Sequence, residues 1–297
     1  METITLSSAL AKLLLEKHGK PVVADHELVR YVYDLYKSKQ YRGVPIGKLS
    51  ADTPTSMVID RNIGKIERLG LISRIESTVP AYQVVGYPEA SSQQIVCSVV
   101  PDSYLAYLSA MEWHGITDRV PSRIHIVMCA DFLVKKKWKQ KAKEDYGPSV
   151  DDGRLIPKIG SLKNPIKGKR VVLHETKNFS GFREVSGSGG IKVASLGQTF
   201  LDMMRAPEFC GGFSHVLECY KQHAEKNLPI IIKAVDKTGR SIDKVRIGYV
   251  LEEVLGIKNR TIESWKAFVQ RGGSRKLIAK NKYSNSYSAE WCISINE

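Results

Sequence analysis

Two stretches of this 297-residue chain hold residues whose types and spacing suit catalysis. Residues 193–212, VASLGQTFLDMMRAPEFCGG, bring a serine (Ser195), an acid (Asp202), a thiol (Cys210) and a glycine pair (Gly211 and Gly212) within twenty positions. A hydroxyl or thiol nucleophile needs a base in hydrogen-bond reach and a third group to orient that base. Ser195 does not sit in the G-x-S-x-G setting of a nucleophile elbow. Cys210 has no adjacent histidine, although His215 is nearby. The second stretch places Asp151 and Asp152 upstream of Glu175-Thr176-Lys177, which ends a strand-like run. Such carboxylates would hold a divalent ion, and the lysine would help activate water. Three-residue patterns of this kind arise often in a chain this charged. His114 has no Ser or Asp at suggestive spacing and reads as a helix-end or packing residue.

The elements around the first stretch give its polar residues structural work. Ser195 and Gln198 fit a capping box. Leu196, Phe200, Met203 and Met204 then share one helical face and are expected in a core. Asp202 and Arg205, three apart, are expected to pair on the surface. Pro207 stops the helix, Glu208 starts a short turn, and Gly211 and Gly212 read as a joint before the helix FSHVLECYKQHAEK.

A third constellation is basic. In the segment TPTSMVIDRNIGKIERLG, Ile59, Ile63 and Ile66 recur at helical spacing. Arg61, Lys65 and Arg68 repeat that spacing two residues later, about 200° around the helix. Thr53 or Thr55 suits the N-cap, Pro54 the first turn and Gly70 the stop. Helices over Leu6–His18 and Asp25–Ser38 precede it, separated from it by the expected loop YRGVPIGKLSAD. Two short strands, LISRIES and AYQVVG, follow around a turn holding Pro80. This order is that of a winged helix-turn-helix domain over residues 1–92. Thr55, Ser56, Arg61, Lys65 and Arg68 would reach bases or phosphates, with Arg74 near the wing. The bland alternative is a solvated helix face, and winged helices also bind proteins.

The net charge of +14 favours a polyanionic partner. It is spread unevenly: residues 1–95 hold 12 basic against 10 acidic residues, 96–227 hold 20 against 14, and 228–297 hold 13 against 7. The run FLVKKKWKQKAKEDYG sets six lysines around Trp138, and reads either as a solvated helix or insertion or, through Lys135, Lys136, Lys137 and Lys139, as a phosphate contact. Arg271, Arg275 and Lys276 cluster near the end, as a second such contact or a solubilising surface. QQIVC reads as a strand and a helix is expected from about Asp102. Five cysteines without a C-x-x-C pair argue against a disulfide framework and a zinc site, and for a reducing cytoplasm. No apolar run is long enough to span a bilayer, and residues 1–20 read as an amphipathic helix, not a signal peptide. No membrane, metal or cofactor is expected.

In order and content the chain resembles the AbiEi family of bacterial antitoxins, the repressor half of AbiE-type (type IV) toxin–antitoxin systems. The resemblance runs from about Tyr104 to Asn296, through SYLAYLSAMEWHGITDRVPSRIHIV, KRVVLHETKNFSG, VASLGQTFLDMMRAPEFCGG, RIGYVLEEVLGI and GGSRKLIAKN…EWCISIN. The chain departs from the family pattern at Gln198, where an arginine usually precedes the threonine. Lys135–Lys143 looks like an insertion. The resemblance implies an α+β protein of two parts. A winged helix-turn-helix (residues 1–92) would bind inverted repeats in double-stranded DNA upstream of its own operon and repress it. A larger mixed α/β antitoxin domain (93–297, with a further division near 228 left open) would counteract a nucleotidyltransferase-like toxin. In the best-known systems this occurs without a stable complex. No catalysis is implied. Two alternatives stand beside it: a metal-dependent nuclease of the PD-(D/E)-x-K type using Glu175 and Lys177, and an antitoxin that binds its toxin directly.

Overall fold

The computed structural model describes residues 3–49, 51–76, 79–177, 179, 182–184, 188–272 and 275–297. Ser77 and Thr78 in the expected wing turn, Asn178, Ser180 and Gly181 in the KRVVLHETKNFSG block, and Gly273 and Ser274 near the end lie outside the described residues. The chain is α+β and divides into two compact units. One comprises residues 1–103, 127–179 and 184–192; the other comprises 104–126, 180–183 and 193–297. The first unit thus extends past residue 92 to include the lysine-rich run.

Helix α1 (Leu6–Leu13) begins at Thr5, whose Oγ1 accepts from Ser8 N, and continues as a wider turn to His18. Strand β1 (Val22–Ala24) leads into α2 (Asp25–Ser38). The expected loop after α2 contains a small hairpin, β2 (Gln40–Tyr41) with β3 (Val44–Pro45). Helix α3 (Ser56–Arg68) follows, then β4 (Ile72–Arg74) and β5 (Ala81–Val84). β5 lies between β1 and β4 in an antiparallel sheet, with Val23 opposite Tyr82 and Ile72 opposite Val84. Leu6, Leu10 and Leu14, Leu28, Val32 and Leu35, and Ile59, Ile63 and Ile66 meet in one core with Ile72 and Val84. Full burial of each such side chain contributes roughly 1.5–3 kcal/mol, which fixes the azimuth of α3 and leaves its opposite face to solvent. Pro54 is buried ahead of the cap, outside the first turn.

The strand expected at QQIVC is instead helix α4 (Ser92–Val99). Ser91 and Gln94 close a capping box: Gln94 N donates to Ser91 Oγ (3.2 Å) and Ser91 N to Gln94 Oε1 (2.9 Å). The helix expected from Asp102 is also displaced. Ser103–Leu105 forms β6, and α5 runs over Tyr107–Trp113, with Tyr107 in the left-handed region at φ 52°. His114 caps α5, and its Nε2 donates to Ala194 O (2.7 Å). Strand β7 (Arg123–Cys129) precedes α6 (Asp131–Tyr146), the lysine-rich run. Strands β8 (Arg170–Thr176), β9 (Phe182–Glu184) and β10 (Lys192–Ala194) complete a sheet in the order β8-β7-β6-β10-β9. β10 runs parallel to β6, with Val193 opposite Leu105.

Helix α7 (Leu196–Arg205) carries the block that first looked catalytic. Ser195 Oγ accepts from Gln198 N (3.4 Å), and Phe200, Met203 and Met204 are buried as their spacing predicts. The surface pair Asp202–Arg205 does not form. Asp202 is buried and accepts from Gln198 Nε2 (2.7 Å), while Arg205 turns to Asp243 (2.8 Å) and Thr238 O. Burial pushes the Asp202 carboxyl up to about 7. Burial also acts to raise Asp243, but hydrogen bonds from Arg240 and Arg205 outweigh it and hold that carboxyl below its ordinary value. Gly211 and Gly212 are not a loose joint: both have positive φ, and a Cβ on Gly211 would lie 2.8 Å from the His215 ring and 2.9 Å from the Arg119 guanidinium. Helices α8 (Phe213–His223), α9 (Leu228–Thr238), α10 (Ser241–Tyr249) and α11 (Arg260–Ser264) pack around Phe200, Tyr220, Trp265 and Trp291. Short strands β11 (Tyr287–Ser288) and β12 (Ile293–Ser294) close this unit. Among the described residues no helix is long and apolar enough to cross a membrane.

Candidate nucleic-acid interface

The buried isoleucines turn Arg61, Lys65 and Arg68 outward, and all three are exposed. Met57, 77 % exposed, continues the same face toward the N-terminus of α3. Gly64 lies beside it, and a Cβ there would meet nothing within 4 Å. The face is therefore open and shallow along its length. Thr55 caps the helix, its Oγ1 accepting from Val58 N (3.4 Å), which leaves its hydroxyl proton free to donate. Ser56 is exposed at the first turn, where unpaired backbone N–H groups and the helix dipole favour an anion.

The basic residues differ in how they are held. Arg68 folds back on its own helix, Nε donating to Gly64 O (3.1 Å). Arg74, in β4, is fixed over the Tyr82 ring (5.1 Å), with Nη2 donating to the Tyr82 hydroxyl (2.8 Å). Burial raises the Tyr36 hydroxyl, and the positive charge of Arg61 acts against it, which places Arg61 near the end of α2. One flank of α3 is covered: Asp60 accepts from Arg154 (2.7 Å), which also approaches Asp25 (3.7 Å).

α6 is docked on α2 by side chains far apart in sequence. The Arg30 guanidinium lies 5.3 Å from both the Trp138 and Tyr146 ring centres and pairs with Asp145. Trp138 Nε1 donates to Asp102 (2.8 Å), the Tyr146 hydroxyl to Asp34 (2.8 Å) and Lys37 Nζ to Asp145 O (2.8 Å). His26 packs edge-on to Trp138, and its Nε2 finds no hydrogen-bond partner among the described residues. Burial, reinforced by Arg30, pushes its imidazole down to about 3. Nothing in the lysine run alone shows this docking, because the partners Arg30, Asp34 and Asp102 lie outside it.

Glu175 and Lys177 are exposed at the end of β8. Asp152 is engaged by the Tyr33 hydroxyl (3.2 Å) and by Arg154 N (2.9 Å). Among the described residues no three His, Cys, Asp or Glu side chains converge on a point where they could hold an ion. In the second unit, His215 Nε2 lies 2.8 Å from Thr117 Oγ1 and 3.7 Å from Cys219 Sγ. Burial pushes Cys219 up to about 11 and Cys210 well above its ordinary value, so both stay thiols at neutral pH. Arg275 donates to Phe268 O (2.8 Å) and Lys276 to Asn281 O (2.7 Å), so these two tie loops together; Arg271 is exposed.

No family model matches the chain, and no curated protein matches it. Among solved structures, the crystal structure of the Rv2827c protein from Mycobacterium tuberculosis is similar, at 12% identity and a TM-score of 0.49. The likeness covers 98% of this chain and 92% of that one.

Proposed function

We propose that the chain is a DNA-binding repressor with antitoxin activity, of the AbiEi type, whose residues 1–92 act as a winged helix-turn-helix and whose residues 93–297 act as the antitoxin domain. The observation that carries this reading is α3: Ile59, Ile63 and Ile66 are buried, and an unobstructed face of Met57, Arg61, Lys65 and Arg68 is left exposed next to the capping Thr55. In this reading α3 enters a major groove, Arg61 and Lys65 reach bases or phosphates, and Ser56 and the first N–H groups meet a phosphate. The β4–β5 hairpin is the wing, with Arg74 held rigid by Tyr82. The net charge of +14 steers the chain to DNA. Its partners are operator DNA and, functionally, a nucleotidyltransferase-like toxin, and the chain itself catalyses nothing.

The test is equilibrium binding of the full chain to a duplex from upstream of its own gene and to a scrambled duplex of equal length, at 150 mM salt. Tighter binding to the upstream duplex is expected, and equal affinities would overturn the reading. Incubation with plasmid and Mg²⁺ separates the nuclease alternative: cleavage abolished by Glu175→Ala would replace the repressor. Co-purification with the neighbouring gene product would identify an antitoxin that binds its toxin directly.

A further inference from the structure

The six lysines of α6 divide into two sets. Lys135 pairs with Asp131 (2.6 Å), Lys137 with Asp102 (2.7 Å) and Lys141 with Asp145 (3.3 Å). Lys136, Lys139 and Lys143 are exposed, and none makes an ion pair among the described residues. At 100° per residue, these three fall within about 60° of one another, centred about 130° from Trp138 and about 90° from Ala142. The stripe is about 10 Å long at 1.5 Å per residue, close to three base-pair steps. Asp151 and Asp152 border it near Lys139 and Lys143, but Asp152 is already held by Tyr33 and Arg154.

This stripe is a fixed part of the unit that contains α3. The Arg30 clamp between Trp138 and Tyr146 sets the rotation of α6, and Lys37 binds its last turn. A cleft of about 490 Å³ is lined by Asp52 and Thr53, just ahead of the α3 cap, and by Glu144, Asp145, Tyr146 and Gly147 at the end of α6. Tyr33, Tyr36, Lys37 and Lys39 of α2 and its C-terminus form the rest. The C-terminal end of α6, starting one residue past Lys143, thus faces the segment just ahead of α3 across a cleft to which Asp52, Glu144 and Asp145 contribute carboxylates. A helix inserted in a major groove has phosphates on both sides of its N-terminus.

We infer that α6 is a second DNA-binding element, whose Lys136, Lys139 and Lys143 neutralise backbone phosphates flanking the bases met by α3. This rests on the repressor reading and adds an affinity that is independent of sequence. Lysines supply it as point charges, without the planar fork that reads a guanine edge. α3 supplies discrimination, and α6 supplies salt-dependent affinity.

The test uses the full chain with Lys136, Lys139 and Lys143 all changed to Ala. Binding to the upstream and scrambled duplexes is measured from 50 to 200 mM salt. Three lost phosphate contacts lower the slope of log affinity against log salt by up to about 2.7. The variant then loses up to roughly 40-fold less affinity across that range than the parent. The ratio of upstream to scrambled affinity stays the same, and the unfolding temperature is unchanged because all three side chains are exposed. A parent that discriminates the upstream duplex, with an unaltered slope in the variant, overturns the α6 inference alone. A parent with no preference for the upstream duplex overturns the repressor reading. Loss of toxin co-purification in the variant with its salt slope intact assigns the stripe to an acidic protein and also overturns the inference.

Discussion

At the scale of single residues, two buried ionisable groups make opposite statements about pH. His26 is held neutral by burial and by Arg30, at about 3 against an ordinary 6.5. Below 6.5 the unfolded chain takes up a proton that the fold refuses. The stability is thus complete above 6.5 and is lost as pH falls toward 3, at up to about 1.4 kcal/mol per pH unit. Phe at this position keeps the edge contact with Trp138 and removes the loss. The midpoint of urea unfolding should fall between pH 7 and 4 in the parent more than in His26→Phe, and parallel falls would contradict the assignment. Asp202 works the other way. Its carboxyl is raised to about 7 in the fold against 3.8 unfolded. Its contribution is present below about 4 and is lost as pH rises through 7. Asp202→Asn keeps an acceptor for Gln198 and should flatten stability between pH 4 and 7; an unchanged profile would place an ionised carboxylate there. Neither shift was legible in sequence. Asp202 looked like a surface partner of Arg205 because the three-residue spacing says nothing of Gln198, Thr238 or Asp243, which fold against it from the same helix and from around α10.

Among elements, legibility followed periodicity. The boundaries of α2 and the inward face of α3 were readable because apolar residues recur along them at helical spacing, with Thr55 and Gly70 as stops. α4 reads as a strand in sequence because IVCSVV is a short run that is apolar except at Ser98. Its S-x-x-Q box at Ser91–Gln94 was the available signal for a helix. The start of α5 was placed too early because Tyr107 turns the chain at positive φ, a conformation no spacing reveals. α6 showed only its lysines. Its docking face is made of Trp138 and Tyr146 around Arg30, a cation held by aromatic rings rather than an apolar stripe. Two glycines separate packing from openness. At Gly197 of α7, a Cβ would lie 2.5 Å from Ile230 O and 2.8 Å from the Ala234 Cβ. Gly197→Ala should destabilise by about 1–3 kcal/mol through forced separation of α7 and α9. Gly64→Ala, on the open face of α3, should stabilise by about 0.5–1 kcal/mol through the lower entropy of the unfolded chain. Denaturant melts of the two variants check both signs. A neutral Gly197→Ala would mean that the α7–α9 crossing is looser than described.

For the whole molecule, charge and division of labour matter most. The excess of +14 was plain from composition, but its arrangement was not. Arg275 and Lys276 looked like a basic patch and instead hold loop carbonyls, whereas Lys136, Lys139 and Lys143 sit on an element already locked to α2. The block at 193–212, which invited a catalytic reading, proves to be a core helix with a buried polar network and one thiol, Cys210, raised by burial. In the first unit, α3 also turns Arg61 and Lys65 outward, and both are exposed. The most direct test of its role is the affinity of Arg61→Ala/Lys65→Ala for the upstream and scrambled duplexes at 150 mM salt. Each lost base contact costs about 1–3 kcal/mol on the upstream duplex only, so the preference for that duplex should fall at least several-fold while the unfolding temperature holds. A double variant that binds and discriminates as the parent does would contradict α3 as the reading helix.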